Sequence, residues 1–199
     1  MSSRLNLLPD PAFAELKSTL SDRLERMAVA VRPDQFGALL DPLMRQGLER
    51  GFLEAQADEG TVWLLDEAAQ PLVPGFNTGP DASRLIGTFK QPLNSGLICM
   101  VFASEQPFLE NDIQKNAAQS KLLDSRLQVK THAMIAVPFY FVHACRGVIS
   151  CVQLKRAASD PDPAGFGPEH LAAVQRAAAL LSQLIEFRLL SRAVGWTSE

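Results

Sequence analysis

Thr131-His132-Ala133-Met134-Ile135-Ala136-Val137-Pro138-Phe139-Tyr140-Phe141-Val142 and Arg146-Gly147-Val148-Ile149-Ser150-Cys151-Val152-Gln153-Leu154 are two apolar runs rich in β-branched and aromatic residues. Only His143-Ala144-Cys145 separates them. Side chains of this kind suit a pleated, buried surface, and so tight a link predicts two paired strands, His132 to Val142 and Arg146 to Leu154. Pro138 cannot donate to a ladder, so its place in a strand predicts an edge position, a bulge or a missing ladder bond.

Working outward, Thr61 to Asp66 and Pro71 to Phe76 form a second β-rich pair joined by Glu67-Ala68-Ala69-Gln70. Phe89 to Leu93 carries Pro92 and is expected as a short edge strand. Gly96 to Ser104 is apolar nearly all round, the pattern of a buried short helix. Pro107-Phe108-Leu109 is a short extended piece, Ile113 to Lys130 a mixture of helix and loop, and Ala157 to Gly165 a turn-rich acidic loop. From Pro168 onward Leu171, Val174, Ala178, Leu181, Ile185 and Leu189 recur at helical spacing. At the other end Phe13, Leu16, Leu20, Leu24, Met27 and Val31 do the same, over a helix from Pro11 to Val31. A second helix, Asp34 to Leu53, contains Pro42, which predicts a kink or a short first turn. The order predicts an α+β fold, an antiparallel sheet of about six strands covered by helices from both chain ends. Residues 1–32 are assigned to a helical extension and 33–199 to the domain.

With 199 residues, 47% hydrophobic, 21% charged and a net charge of −3, the chain has ample material for one core. It lacks the basic stripe expected of a nucleic-acid binder. Three cysteines, Cys99, Cys145 and Cys151, are too few for a disulfide scaffold and read as thiols of a reducing compartment. Met1 to Asp10 has no secretory pattern, and the longest apolar stretch, Ala133 to Val142, is about half a membrane span. A cytoplasmic protein without membrane contact is expected. The histidines His132, His143 and His170 have no zinc spacing, and no metal is expected. His132 and Cys151, on strands expected to pair, are the one candidate nucleophile–base combination. The bland reading is that Cys151 is a small buried hydrophobe.

Five segments, in order, resemble the GAF domain, a ligand-sensing module of bacterial regulators and cyclic-nucleotide phosphodiesterases. They are Gly96 to Pro107, Phe108-Leu109-Glu110-Asn111-Asp112, Thr131 to Phe139, Arg146 to Leu154, and Phe166-Gly167-Pro168-Glu169-His170-Leu171. The resemblance covers roughly residues 34–190. It implies a small-molecule sensor that dimerises through a helical bundle and passes ligand-induced shifts along it. It does not imply one ligand, because this fold hosts many.

Three specialisations of the family can be compared residue by residue. Free methionine-R-sulfoxide reductases on this fold carry cysteines in the loop before the third of these segments. Here that loop, Asn111 to Thr131, has none, and Cys99 is shifted by one from another family cysteine. Phosphodiesterase copies carry an Asn-Lys pair where this chain has Gln153-Leu154-Lys155-Arg156. Phe166 matches their later Phe, but their Asp-Glu is absent. Bilin attachment uses Cys-His or Cys-Phe, neither of which occurs.

The expected site is therefore a cleft between the sheet and the Ile113–Lys130 stretch, with no cofactor other than an unidentified small molecule. Wall candidates are Trp63, Leu65, Phe76, Phe102 and Tyr140, and polar candidates are Asp112, Lys130, Thr131 and His132. Asn111-Asp112 can either cap the next helix or face the ligand. Lys115, Lys121, Arg126 and Lys130 against Asp124 suggest a basic lid for an anionic ligand, or simply a solvated helix face. The two terminal seams, with the tail Leu190, Val194 and Trp196, predict a homodimer. Leu16, Leu20, Leu24, Leu181, Ile185 and Leu189 are assigned to its interface, the alternative being that both seams pack on one subunit's sheet. The length leaves no room for an output domain, so signalling is expected through the dimer or a separate partner. The rival readings are a methionine-R-sulfoxide reductase and a ligand-free dimerisation scaffold.

Overall fold

The strands Lys130–Phe141 and Ala144–Lys155 pair antiparallel along their whole length, from Lys130 opposite Lys155 to Phe141 opposite Ala144. Their turn is Val142-His143, with φ of 49° and 62°. Two successive positive φ values are the type I′ geometry that matches strand twist. A left-handed conformation is costly for a β-branched residue. Val142 is held there by burial and by donating its N–H to Glu186 Oε1 at 2.8 Å.

The computed structural model describes residues 11, 14–66, 68, 70–155, 157 and 159–196, with the side chain of Glu15 left aside. Phe13, the Met1 to Asp10 stretch, Glu67 and Ala69 of the first hairpin link, Arg156 and Ala158 lie outside the described residues. In chain order the elements are α1 (Ala14–Val29), α2 (Pro33–Leu39), α3 (Pro42–Glu54), β1 (Glu59–Leu65), β2 (Pro71–Asn77), α4 (Ala82–Leu85), β3 (Gln91–Pro92), α5 (Leu97–Ser104), β4 (Phe108–Glu110), a 3₁₀ turn (Ile113–Lys115), α6 (Leu122–Leu127), β5 (Lys130–Phe141), β6 (Ala144–Lys155) and α7 (Pro168–Ala193). The six strands form one antiparallel sheet in the order β3-β2-β1-β6-β5-β4.

The expected second helix is two helices. Asp41 accepts a hydrogen bond from Met44 N at 2.9 Å and Pro42 opens α3. An Asp cap followed by proline in the first helical position is a start signal, so the chain breaks rather than kinks there. Pro138 occupies a half-edge. Among the described residues β4 pairs only with Met134, Ile135 and Ala136, so from Val137 onward β5 has a ladder partner there on one side alone.

Each face of the sheet carries its own core. On one face Val62, Leu64, Phe76, Ile135, Val137, Phe139, Ile149 and Cys151 pack with Phe36 of α2, Leu48 and Phe52 of α3, and Val174, Leu181, Ile185 and Leu189 of α7. Leu24 and Met27 of α1 pack against this cluster, and α1 contacts α7. On the other face Trp63, Leu72, Met134, Ala136 and Val148 meet Leu85 of α4 and Leu97, Ile98 and Val101 of α5, with Leu123 and Leu127 of α6 at the margin. No helix among the described residues is long and apolar enough to cross a membrane.

Candidate functional site

The second face is incompletely filled. Between the sheet, α5 and α6 lies a cavity of about 60 Å³. At ~10–15 Å³ per water this is room for roughly four to six waters, or a molecule of a few heavy atoms. The floor is set by strand alternation: Glu59, Thr61 and Trp63 of β1, and Ser150, Val152 and Leu154 of β6, project from the same face. Asn77 of β2 and Thr131 and Met134 of β5 complete it. Gly96, Leu97 and Ile98 of the α5 start form one wall. Gln119, Ser120, Leu123, Asp124 and Leu127 form the lid.

The polar groups form an ordered set. Trp63 donates its indole N–H to Ser150 Oγ at 2.9 Å. Asn77 donates to Thr61 Oγ1 at 2.8 Å and accepts from Gly79 N at 2.8 Å. Gln91, buried at the wall, donates to Ser95 O at 2.9 Å. Asp124 ties the lid to the sheet, accepting from Thr131 N at 3.0 Å, Thr131 Oγ1 at 2.7 Å and Gln119 Nε2 at 3.2 Å. Gly96 lets the lid close. Its φ is 92°, and a β-carbon there would stand 3.0 Å from Ser120 Cβ.

Of the nine residues expected to face a ligand, Trp63 and Thr131 line this cavity. Phe76 does not: it lies one residue from Asn77, so it points into the opposite core. Phe102 packs against the α5-side core without reaching the cavity. Asp112 pairs with Lys115, and Lys130 is exposed on β5. His132 falls in the irregular register between Thr131 and Ala133 and is also outside the lining. Tyr140 lies beyond the cavity near the far end of β5, donating its hydroxyl to Glu105 Oε2 at 2.9 Å. Leu65, the remaining wall candidate, is likewise outside the lining.

The basic lid is a solvated face: none of Lys115, Lys121, Arg126 and Lys130 lines the cavity, whereas Asp124 does. Asn111 does neither of the things expected of it. Its side chain donates to Phe166 O at 3.0 Å and accepts from Phe166 N at 2.7 Å, clamping the end of β4 to the approach of α7. Gln153 does the same next door, accepting from Gly165 N at 2.9 Å and donating to Gln56 O at 3.1 Å.

The sequence reading missed Thr61, Asn77, Gln119, Asp124 and Ser150. A signal was present for three of them. Thr61, Asn77 and Ser150 are polar residues in otherwise apolar strands, and a buried polar group on a sheet face needs a partner.

Two of the three thiols, Cys99 and Cys151, are buried. Burial pushes the Cys99 thiol up to about 11 and the Cys151 thiol higher still, and raises Cys145 as well. Cys151 sits opposite Ile135, whereas His132 lies near Leu154 and Gln153, so the pair considered above does not meet. Cys99 and Cys151 belong to the cores on opposite faces of the sheet.

No protein-family model and no curated protein matches the chain. Solved structures do. The GAF domain of a phosphoenolpyruvate-protein phosphotransferase from Coxiella burnetii superposes with a TM-score of 0.59 at 18% identity, over 94% of this chain and 100% of that one. The blue-light absorbing form of the PixJ GAF domain from Thermosynechococcus elongatus gives 0.58 at 16%, over 89% and 94%. Free methionine-R-sulfoxide reductase from Neisseria meningitidis, in complex with its substrate, gives 0.54 at 16%, over 97% and 99%. The fold is that of GAF domains.

Proposed function

We propose that this chain is a non-catalytic sensory domain that binds a small molecule in the cavity under α6 and acts, as a homodimer, on a separate partner protein in the cytoplasm. The cavity carries the reading: a ring of ordered polar groups in an otherwise apolar interior is the usual form of a small-molecule site. The route outward is physical. The lid follows β4, and Asn111 at the end of β4 is bonded to the backbone just before α7. A ligand that favours one lid arrangement would shift the population of α7 arrangements by its difference in affinity for the two.

The surface we assign to the dimer differs from the one that the sequence suggests. Leu181, Ile185 and Leu189 are within the subunit's own core, which satisfies that seam without a partner. The opposite side of α7 leaves Leu180, Phe187 and Val194 exposed, at intervals of seven, with Leu190 beside them. Seven-residue spacing of exposed apolar side chains suits a helix seam against a second copy. Leu16 of α1 is exposed as well and belongs to the same proposal, whereas Leu24 packs on the core. Light scattering is expected to give twice the 21.7 kDa chain mass, and Phe187→Glu to return the monomer. Native mass spectrometry of the purified protein is expected to find a bound small molecule that Leu123→Trp, which fills the cavity, excludes. A protein that carries no ligand in either form would instead be a dimerisation scaffold.

The likeness to methionine-R-sulfoxide reductases supports a second reading, in which the cavity holds a substrate. The buried thiols, separated by the sheet, weigh against it. Turnover of free methionine-R-sulfoxide that disappears in Cys99→Ser or Cys151→Ser would establish the enzyme and overturn the sensor.

A further inference from the structure

We propose that the cavity selects small nitrogen-bearing hydrogen-bond donors, amines and amides, over carboxylates and phosphates; this rests on reading it as the ligand site. The lid residue Gln119 carries the inference. Its Oε1 is shielded from solvent and has no hydrogen-bond partner among the described residues. The orientation of the amide is fixed by its other end, because Nε2 donates to Asp124 Oδ2 at 3.2 Å. Flipping the group would set its oxygen against a carboxylate oxygen, so the orphan atom is an acceptor. A buried acceptor without a donor is costly, and a ligand N–H supplies what it lacks.

The charges point the same way. Glu59 and Asp124 are the charged side chains in the lining, and no Lys, Arg or His is among the described lining residues. An anion would lose its hydration without gaining a cationic partner there, whereas the lost hydration of an ammonium would be offset by the lining carboxylates and a neutral amide has no charge to desolvate. Trp63 adds an apolar, aromatic group to the lining. The hydroxyls of Thr61 and Ser150 serve as donor or acceptor and do not discriminate. The size limit is tight. At about 60 Å³ the cavity accommodates only a few heavy atoms, so a larger ligand would enter by its amine or amide end with the lid displaced.

Three small probes separate the classes: acetamide and acetate, which match in size and shape, and ethylammonium, which is one heavy atom smaller, titrated into the full chain at neutral pH and followed by ligand-observed NMR. Ethylammonium and acetamide are expected to bind and acetate not to. Gln119→Leu, placed on the half-buried lid segment and checked by circular dichroism, is expected to weaken both binders about tenfold, in line with loss of one buried hydrogen bond. Leu123→Trp is expected to abolish binding. Acetate binding as well as the other two, or affinities unchanged in Gln119→Leu, would overturn the donor class while leaving the cavity a ligand site. Failure of all three probes to bind would overturn both.

Discussion

The two faces of the sheet are built from the same strands, yet they are finished differently. On the α7 face, alternate residues of β5 (Ala133, Ile135, Val137, Phe139, Phe141) are all apolar and share an uninterrupted core with Phe36, Val174 and Ile185 on the helices. Phe139 lies edge-on to Phe36 there, with centroids 6.4 Å apart. On the α6 face, the intervening strand positions include Thr61, Asn77, Thr131 and Ser150, and α6 above them is only 6 residues long. One face holds the sheet together, while the other trades packing for polar groups around a cavity. A single sheet thus carries a closely packed face and a polar, cavity-bearing one, divided by strand alternation except at Thr131, where the register shift changes the side.

The largest effect is expected where the packing is densest. Phe139→Ala should cost about 3–5 kcal/mol in a denaturant titration, the range for a fully buried aromatic. A cost below about 1 kcal/mol would mean that the two faces do not differ as described.

The thiols compare the faces at the level of reactivity. Cys99 lies on the cavity side and Cys151 on the α7 side, and burial raises both. With a pKa near 11 in place of 9.0, Cys99 should carry about 100-fold less thiolate than an open thiol at pH 8. Iodoacetamide labelling followed by peptide mass spectrometry is expected to modify Cys145 first, then Cys99, then Cys151. The sign for stability follows from the raised value. The fold favours the protonated Cys99, so this contribution is complete below the unfolded pKa near 9 and is lost as pH rises towards 11. Equal labelling of Cys99 and Cys151 would erase the distinction.

The smallest effect belongs to the lid. Asp124→Ala removes the acceptor for Thr131 N and Thr131 Oγ1 and should cost about 1–2 kcal/mol. Hydrogen exchange is expected to speed up in residues 113–131 while the β5–β6 amides nearer the turn keep their protection. A uniform loss of protection would make the lid part of the main cooperative unit.

Much of the fold was legible because its signals are local. The β5–β6 pair, the edge placement of Pro92, the buried α5 and the long α7 all follow from run length, proline position and periodicity. The site was less legible, for reasons that particular residues show. All seven residues of β2 are buried, so hydrophobicity does not say which of Phe76 and Asn77 faces which layer. At His132 the register shifts, and counting by twos fails there. Along α7, apolar residues occur on both sides of the helix. Leu181, Ile185 and Leu189 turn inward while Leu180 and Phe187 turn outward, a choice made by the sheet beneath. Gln119 and Asp124 act through side-chain bonds to each other and to Thr131, five and seven residues apart, which no helix or strand periodicity encodes.

The half-edge of β5 bears on how the protein behaves at high concentration. Beyond Ala136 this strand has no second ladder neighbour among the described residues, and a run that includes Val137, Phe139, Tyr140 and Phe141 would invite a strand from another molecule. Pro138 sits in the middle of that run with no N–H to offer and a ring that obstructs pairing. A proline in such a place hinders intermolecular sheet growth, and replacing it with valine is expected to lower solubility.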